Sequence, residues 1–287
     1  MRSTNGWEDF ELIDASRGER LERWGRRILI RPDPQVIWKT PRGKQWETAD
    51  AVYRRSEKGG GKWESKNFPE EGWVIGYSDI KLMVRPTGFK HTGVFPEQAV
   101  NWDLMREVIV YAKRPVKILN LYAYTGGATL ACAAAGASVC HVDASKGMVS
   151  WARENASLSG LADKPIRWIV DDCRKFAERE LRRGAAYDGI VMDPPSYGRG
   201  PAGEVWKLED EIYPLVELCA GLLGENPLFF LLNSYTTGLA PSVSGYILGA
   251  VIQKNRGGTV ESGEIGLPVT QSGMVLPCGS TAIWKPR

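Results

Sequence analysis

The spacing of apolar residues divides this chain of 287 residues into two textures. From Lys117 onward, short apolar runs alternate with longer segments of helical period. Lys117–Leu121 (KILNL) predicts a strand, followed by the glycine pair Gly126-Gly127 and an alanine-rich helix to Ala135. Ser138–Val142 (SVCHV) predicts the next strand, closing at Asp143. The cycle then repeats: helix 146–158, strand 166–170, helix 174–183, strand 189–192, helix 208–223, strand 228–232 and helix 243–253. Strands alternating with helices of this length predict crossover units around a parallel sheet buried on both faces. The tail, GGTVESGEIGLP and GMVLPCGSTAIWK, reads as two strands with no helix between them. We therefore expect an α/β fold: a doubly wound, mostly parallel seven-stranded sheet with a final antiparallel strand.

The first hundred residues read differently. Residues 72–96 alternate apolar and polar positions and are cut by Gly and Pro, which predicts strands and turns. Helical spacing begins near Trp102 in NWDLMREVIVYAK. The expected organisation is a small β-rich unit over 1–100 and the α/β domain over 101–287.

Composition narrows the classes. Hydrophobic residues make up 43% of the chain and charged ones 25%. The first twenty residues carry charges throughout, and nowhere do eighteen apolar residues run together, so neither export nor a membrane span is expected. The five cysteines are odd in number and form no C-x-x-C pair, and only His91 and His141 could serve a metal. This predicts a reducing cytoplasm, with neither a disulfide framework nor a metal site. A net charge of +3 says little about a polyanionic partner. The tryptophans say more. Seven of the eleven, Trp7, Trp24, Trp38, Trp46, Trp63, Trp73 and Trp102, lie in or just beyond the first third. Several alternate with basic residues, as in WKTPRGKQWE and YRRSEKGGGKWESK. Such aromatics stack on bases while cations pair with phosphates, or they pack a small β unit whose hairpin turn is KGGGK.

In an open α/β sheet, ligands bind beyond the carboxyl ends of the strands, where strand order reverses. The unusual residues fall at such ends. In LNLYAYTGGATLACAAAG, the loop Tyr124-Thr125-Gly126-Gly127 leads into a helix whose first amides favour an electron-rich group. Asp143 ends the next strand, where a carboxylate can accept both hydroxyls of a ribose. Asp171 and Asp172 end the third strand, and we expect Asp172 to face the ligand, with the Cys173 amide beside it, as an adenine site. Asp172 could instead, or in addition, cap the helix that follows. The loop lacks the G-x-G-x-x-G of dinucleotide folds and the G-x-x-x-x-G-K-[ST] of a P-loop. An adenosyl ligand without a pyrophosphate fits better, and a nicotinamide oxidoreductase is disfavoured.

LNLYAYTGGATLACAAAGASVCHVDAS, VDDCRKF and YDGIVMDPPSYGRG, in that order, resemble the successive motifs of class I S-adenosylmethionine-dependent methyltransferases. Within that superfamily they most resemble the large-subunit ribosomal RNA methyltransferases I and K, over residues 88–285. The resemblance implies a Rossmann-like fold, S-adenosylmethionine as cofactor and RNA as partner. It implies that KHTGVFPEQAVNW lies over the methionine end of the cofactor, which brings in Phe95 and Gln98. Glu97-Gln98-Ala99 stands where the family commonly has Asp-Gln-Arg.

The Asp-Pro-Pro-Ser element then becomes the acceptor pocket. Pro194 and Pro195 have fixed φ and no N–H, so they hold the loop stiff and extended. An amino group between the Asp193 carboxylate and the Pro194 carbonyl would donate both hydrogens and aim its lone pair at the methyl. Tyr197, or Tyr124 or Tyr235, would stack on a flipped base. The expected reaction is methylation of an exocyclic amino group of a base in ribosomal RNA. Methylation at carbon 5 of a pyrimidine needs a cysteine nucleophile. Relatives that do this carry it after the fifth strand, where this chain reads NSYTTG, so that alternative depends on Cys278 reaching the site. A small-molecule or protein acceptor is the remaining alternative.

Overall fold

The computed structural model describes residues 1–56, 60–65, 69, 71–199 and 205–287. It divides into two units, one holding Asn101–Ile265 and Gly279–Arg287, the other Arg2–Val100 and Gly266–Cys278.

The N-terminal unit contains β1 (Phe10–Ser16), β2 (Glu19–Trp24), β3 (Arg27–Pro32), β4 (Ala51–Arg55) and β5 (Gly61–Ser65), hydrogen-bonded in that order. All neighbours are antiparallel except β3 and β4, which are parallel. A separate antiparallel pair follows, β6 (Trp73–Tyr77) and β7 (Ile80–Val84). The KGGGK turn lies partly outside the described residues. Its flanking strands pair, with Arg55 opposite Gly61. Ile13, Leu21, Ile30 and Trp46 form one small core. Within the same unit Trp24 is fully buried, its ring 4.7 Å from that of Phe10 at 70°.

β2 and β3 carry buried charge as well. Arg31 grips both oxygens of Glu22 at 2.6 and 2.9 Å, and the Trp24 indole donates to the same carboxylate at 3.1 Å. Arg20 pairs with Asp33 at 3.2 Å. Burial alone would raise the Glu22 pKa, but Arg31 and Arg20 outweigh it and hold the carboxyl below its ordinary value.

The other unit begins within α1 (Ala99–Ala112) and continues through β8 (Lys117–Leu121), α2 (Gly127–Ala134), β9 (Ser138–Asp143), α3 (Lys146–Leu158), β10 (Ile166–Val170), α4 (Cys173–Arg182) and β11 (Gly189–Met192). After the short antiparallel pair β12 (Tyr197–Arg199) and β13 (Val205–Lys207) come α5 (Leu208–Ala220), β14 (Phe229–Ser234), α6 (Pro241–Leu248), a π-helical turn (Gly249–Gln253), α7 (Lys254–Arg256), β15 (Thr259–Pro268) and β16 (Val275–Lys285). The sheet has seven strands in the order β10-β9-β8-β11-β14-β16-β15. The first five are mutually parallel and β16 is antiparallel to β14. This is the expected doubly wound sheet. Every residue of β11 and β14 is buried, as a parallel strand covered on both faces requires.

Two expectations need adjusting. The helix expected over 243–253 widens into the π turn at Gly249, and the Asn255 side chain donates to the Val251 carbonyl there at 2.8 Å. The expected α/β domain includes the whole tail, yet Gly266–Cys278 belongs to the N-terminal unit. The reason is backbone pairing: Val269 bridges Leu12, and the amides of Thr270 and Gln271 donate to the Leu12 and Ile13 carbonyls at 2.9 and 3.0 Å. Among the described residues no helix is long and apolar enough to cross a membrane.

Candidate active site

The chain visits β8, β9 and β10 outward in one direction, then starts again beside β8 with β11, so strand order reverses between β8 and β11. The register puts the carboxyl ends of these strands level. Leu121 is paired with both Val142 and Met192, Val170 with Asp143, and Met192 with Leu232. The residues that follow, Tyr122, Asp143, Asp171, Asp193 and Asn233, therefore form one row along the carboxyl edge of the sheet.

After β8 the backbone is strained. Tyr122, Tyr124 and Gly126 have φ of 55°, 50° and 90°, and left-handed tyrosines each cost on the order of 1–3 kcal/mol. Hydrogen bonds to neighbouring strand ends help hold this turn: the Tyr122 amide donates to the Cys173 sulfur at 3.2 Å, and the Tyr124 amide to the Asp143 carboxylate at 2.9 Å. The second Asp143 oxygen accepts from the Ser145 amide at 2.8 Å. Burial raises the Asp143 pKa, with these two amides opposing it. Each carboxylate oxygen keeps a lone pair for a further donor.

The glycines answer to packing. A β-carbon on Gly126 would lie 3.0 Å from that of Ala152 on α3, and one on Gly127 would lie 2.4 Å from the Trp102 ring on α1. The two helices close on the start of α2, and only glycine leaves them room. Thr125 is buried, and its carbonyl accepts from the buried Asn155 side chain at 2.9 Å.

At the end of β10 the two acids have separate tasks. Asp171 pairs with Arg179, and its other oxygen accepts the Asp172 amide at 2.9 Å. Asp172 is exposed and caps α4 by accepting from the Lys175 amide at 2.9 Å, so the capping reading holds. Cys173 is buried, and burial pushes its thiol well above the ordinary value.

Past β11, Asp193 is half-buried, Pro194 buried and Pro195 exposed. Tyr197 is 52% exposed and sits opposite Lys207 in the β12–β13 pair. Gly200, the last residue of that motif, lies outside the described residues. Tyr235 packs its ring against Gly279, where a β-carbon would come within 2.8 Å. Phe95 and Gln98 belong to the other unit. Gln98 is buried at the end of the 3-10 turn Pro96–Gln98, and the Phe95 ring lies 5.1 Å from that of His91.

Sequence reasoning missed the side chains that brace this edge. Trp206 donates its indole N–H to the Pro195 carbonyl at 2.6 Å, and its ring lies 6.0 Å from that of Tyr122. The Thr236 hydroxyl donates to the Ser196 hydroxyl at 2.7 Å. Beneath the edge, the buried Asn101 side-chain Nδ2 donates to Asn233 Oδ1 at 3.1 Å and to the Thr281 hydroxyl at 3.0 Å, and the Thr281 hydroxyl donates to Asn233 Oδ1 at 2.7 Å. The signal for Trp206 is a lone aromatic 13 residues past Asp193. The Asn101 bonds join residues too far apart in the chain to be read locally.

Among solved structures, the SAM-dependent methyltransferase from Agrobacterium tumefaciens matches with a TM-score of 0.94 at 38% identity, covering 99% of this chain and 93% of that one. The M. jannaschii tRNA m1G37 methyltransferase matches with a TM-score of 0.57 at 11% identity over 99% of this chain and 76% of that one, a likeness of fold alone. Among curated proteins, the ribosomal RNA large subunit methyltransferase K/L of Pseudomonas aeruginosa is 29% identical over 188 residues, covering 64% of this chain and 25% of that protein. This chain thus spans about a quarter of that relative's length. The sequence profile of the S-adenosylmethionine-dependent methyltransferases matches residues 17–212, and with the carboxyl-edge geometry and the Agrobacterium likeness this shows that the chain belongs to that family and uses S-adenosylmethionine.

Proposed function

We propose that this enzyme methylates an exocyclic amino group of a base in ribosomal RNA. The observation that carries the choice of nitrogen over pyrimidine carbon is the state of the cysteines. All five are free and buried. Burial pushes the thiols of Cys132 and Cys219 up to about 12 and that of Cys140 to about 11, with Cys173 and Cys278 well above the ordinary value. Burial thus disfavours the thiolate that attack on a pyrimidine ring needs, whereas an amino group needs only positioning. RNA as the acceptor is supported by the names of the curated relatives.

The donor set suits the cofactor. In this reading Asp143 accepts the ribose hydroxyls through its remaining lone pairs. Asp172 and the Cys173 amide meet the adenine, and the strained turn Tyr124-Thr125-Gly126-Gly127 brings the backbone close to the methionine end. S-adenosylmethionine supplies an electrophilic methyl group on a sulfonium. Asp193 and the Pro194 carbonyl accept the two amino hydrogens and turn the nitrogen lone pair toward that methyl. As the nitrogen lone pair forms the new N–C bond, the S–CH3 bond would break with its pair returning to sulfur to leave the neutral thioether product, and the surplus proton on nitrogen would pass to Asp193. Tyr197, exposed and held by the β12–β13 pair, stacks on the base.

The test is incubation of the purified protein and isotopically labelled S-adenosylmethionine with total RNA from cells lacking the gene, followed by nucleoside mass spectrometry. Label in a methylated exocyclic amine is the expected result. Label at pyrimidine carbon 5 would overturn the choice of nitrogen. Cofactor binding without any labelled nucleoside would move the acceptor to a small molecule or a protein.

A further inference from the structure

Six tryptophans of the N-terminal unit donate their indole N–H groups inside that unit. Trp7 donates to Pro96, Trp24 to Glu22, Trp38 to Ala15, Trp46 to Asp14, Trp63 to Thr87 and Trp73 to Trp24. Five of the rings are buried or half-buried, as packing requires. Trp38 differs: its indole is tied to the Ala15 carbonyl at 2.6 Å while 36% of the residue remains exposed. Its neighbour Ile37 is 83% exposed.

Both lie on a strap over residues 34–45 that is fastened to the β1–β2 turn along its length. The Arg17 and Gly18 amides donate to the Trp38 and Val36 carbonyls, each at 2.8 Å. The Ser16 hydroxyl donates to the Thr40 carbonyl at 2.7 Å, and Arg42 donates to the Ser16 carbonyl at 2.7 Å and to Glu19 at 2.8 Å. Arg42 also lies over the Trp46 ring at 3.8 Å. These bonds tie the strap at several points, which lowers the cost of ordering its outward face on binding.

The strap itself carries cations and no acid. No acid occurs between Pro34 and Gln45, whereas Lys39, Arg42 and Lys44 do. Lys39, Lys44 and the adjoining Arg17 are exposed and make no ion pair among the described residues. Arg17 has φ of 54°, a left-handed position where glycine or asparagine would be less strained, so the turn bears a cost to place a cation there. Tethered aromatic, exposed aliphatic and unpaired cations together match a strand of unpaired bases and phosphates.

We propose that this strap is a docking surface for single-stranded RNA, with a base stacked on Trp38 and phosphates on Arg17, Lys39 and Lys44. It rests on the reading of RNA as the acceptor and adds how that RNA is held.

The test uses the full chain and a fluorescein-labelled 12-nucleotide single-stranded RNA of mixed sequence, with binding followed by fluorescence anisotropy. Trp38→Ala should weaken binding about 10-fold, and Trp38→Phe, which keeps the aromatic face, should restore most of it. The triple variant Arg17→Ala, Lys39→Ala, Lys44→Ala should flatten the slope of log Kd against log salt by about 2, at roughly 0.7 for each phosphate no longer neutralised. Cofactor affinity by calorimetry should stay unchanged in all of them, which also reports that they fold. If wild-type protein labels RNA while every strap variant binds the probe normally with an unchanged salt slope, the strap is not the docking surface and the RNA reading stands. If wild-type protein neither binds nor labels RNA, both readings fall.

Discussion

In the methyltransferase unit, β11 and the β14 run Phe229–Leu232 are apolar on both faces, and the polar side chains buried elsewhere in the sheet, Asn233 and Ser234 at the end of β14 among them, are neutral. Asn120 donates to the Thr129 hydroxyl at 2.9 Å, and His141, whose pKa burial lowers to about 3, meets the same hydroxyl at 2.9 Å. In the N-terminal unit, β2 turns Arg20, Glu22 and Trp24 inward together, and the charges compensate one another. The first unit keeps charge out of its sheet and gathers acids at one edge, where binding energy can act on a ligand. The second puts charge into its interior, where it fixes which strands meet. A carboxylate has a different task in each, and its removal should have a different consequence.

The largest expected effect is in the N-terminal unit. Glu22→Gln leaves Arg31 without its bidentate partner in a fully buried position, at a cost of about 3 kcal/mol or more. Denaturant unfolding followed by the fluorescence of that unit's tryptophans measures it. The sign with pH follows from the lowered pKa of Glu22: its contribution is present at neutral pH and is lost as acid takes the carboxyl from its ordinary value of 4.5 down through its lowered one. The glutamine variant should lose that part of the acid dependence. At the sheet edge of the other unit the same kind of deletion should spare the fold. Asp193→Ala is expected to depress methyl transfer about 100-fold, near 2.7 kcal/mol, while cofactor affinity by calorimetry stays near normal. Asp143→Ala should reverse that pattern and weaken cofactor binding. Normal transfer by the Asp193 variant would remove the pocket reading, and equal cofactor affinity in the Asp143 variant would remove the ribose role.

The contrast explains which half was readable. KILNL, SVCHV and GIVM announce themselves because strands covered on both faces must be apolar throughout, and the acids that follow them stand out for the same reason. Strands β8, β10 and β11 run between the expected residues. In the first third, ERLERW and RILIRP are strands whose inward positions include Arg20, Glu22 and Arg31. No alternation of apolar and polar residues marks such a strand, because its buried face is itself charged. Its pairing is legible only once both partners are seen. The two strands of the tail are legible, but the unit they border is not: Gly266–Cys278 joins the N-terminal unit through backbone bonds that leave no trace in side-chain pattern.

Smaller effects sharpen the description of the edge. Gly127→Ala would drive a β-carbon to 2.4 Å from the Trp102 ring, an overpacking cost of about 1–3 kcal/mol that thermal unfolding should register. If glycine served only the approach of a ligand, stability would be unchanged and cofactor affinity alone would fall.

The smallest effect concerns Trp206, whose indole holds the Pro195 carbonyl. Trp206→Phe keeps an aromatic ring against Tyr122 and removes one neutral hydrogen bond, worth about 1 kcal/mol. The loop bearing Asp193 and Pro194 would then lose a fastening on one side, while the Thr236 bond to Ser196 remains on the other. Since the bond touches neither cofactor nor acceptor, the change should appear in kcat, by about 5-fold, with acceptor KM and cofactor affinity unmoved. A rise in KM at constant kcat would mean that Trp206 meets the acceptor itself. An unchanged kcat would mean that the two prolines hold the loop without it, and that the stiffness of this edge is already complete in the Asp-Pro-Pro-Ser sequence.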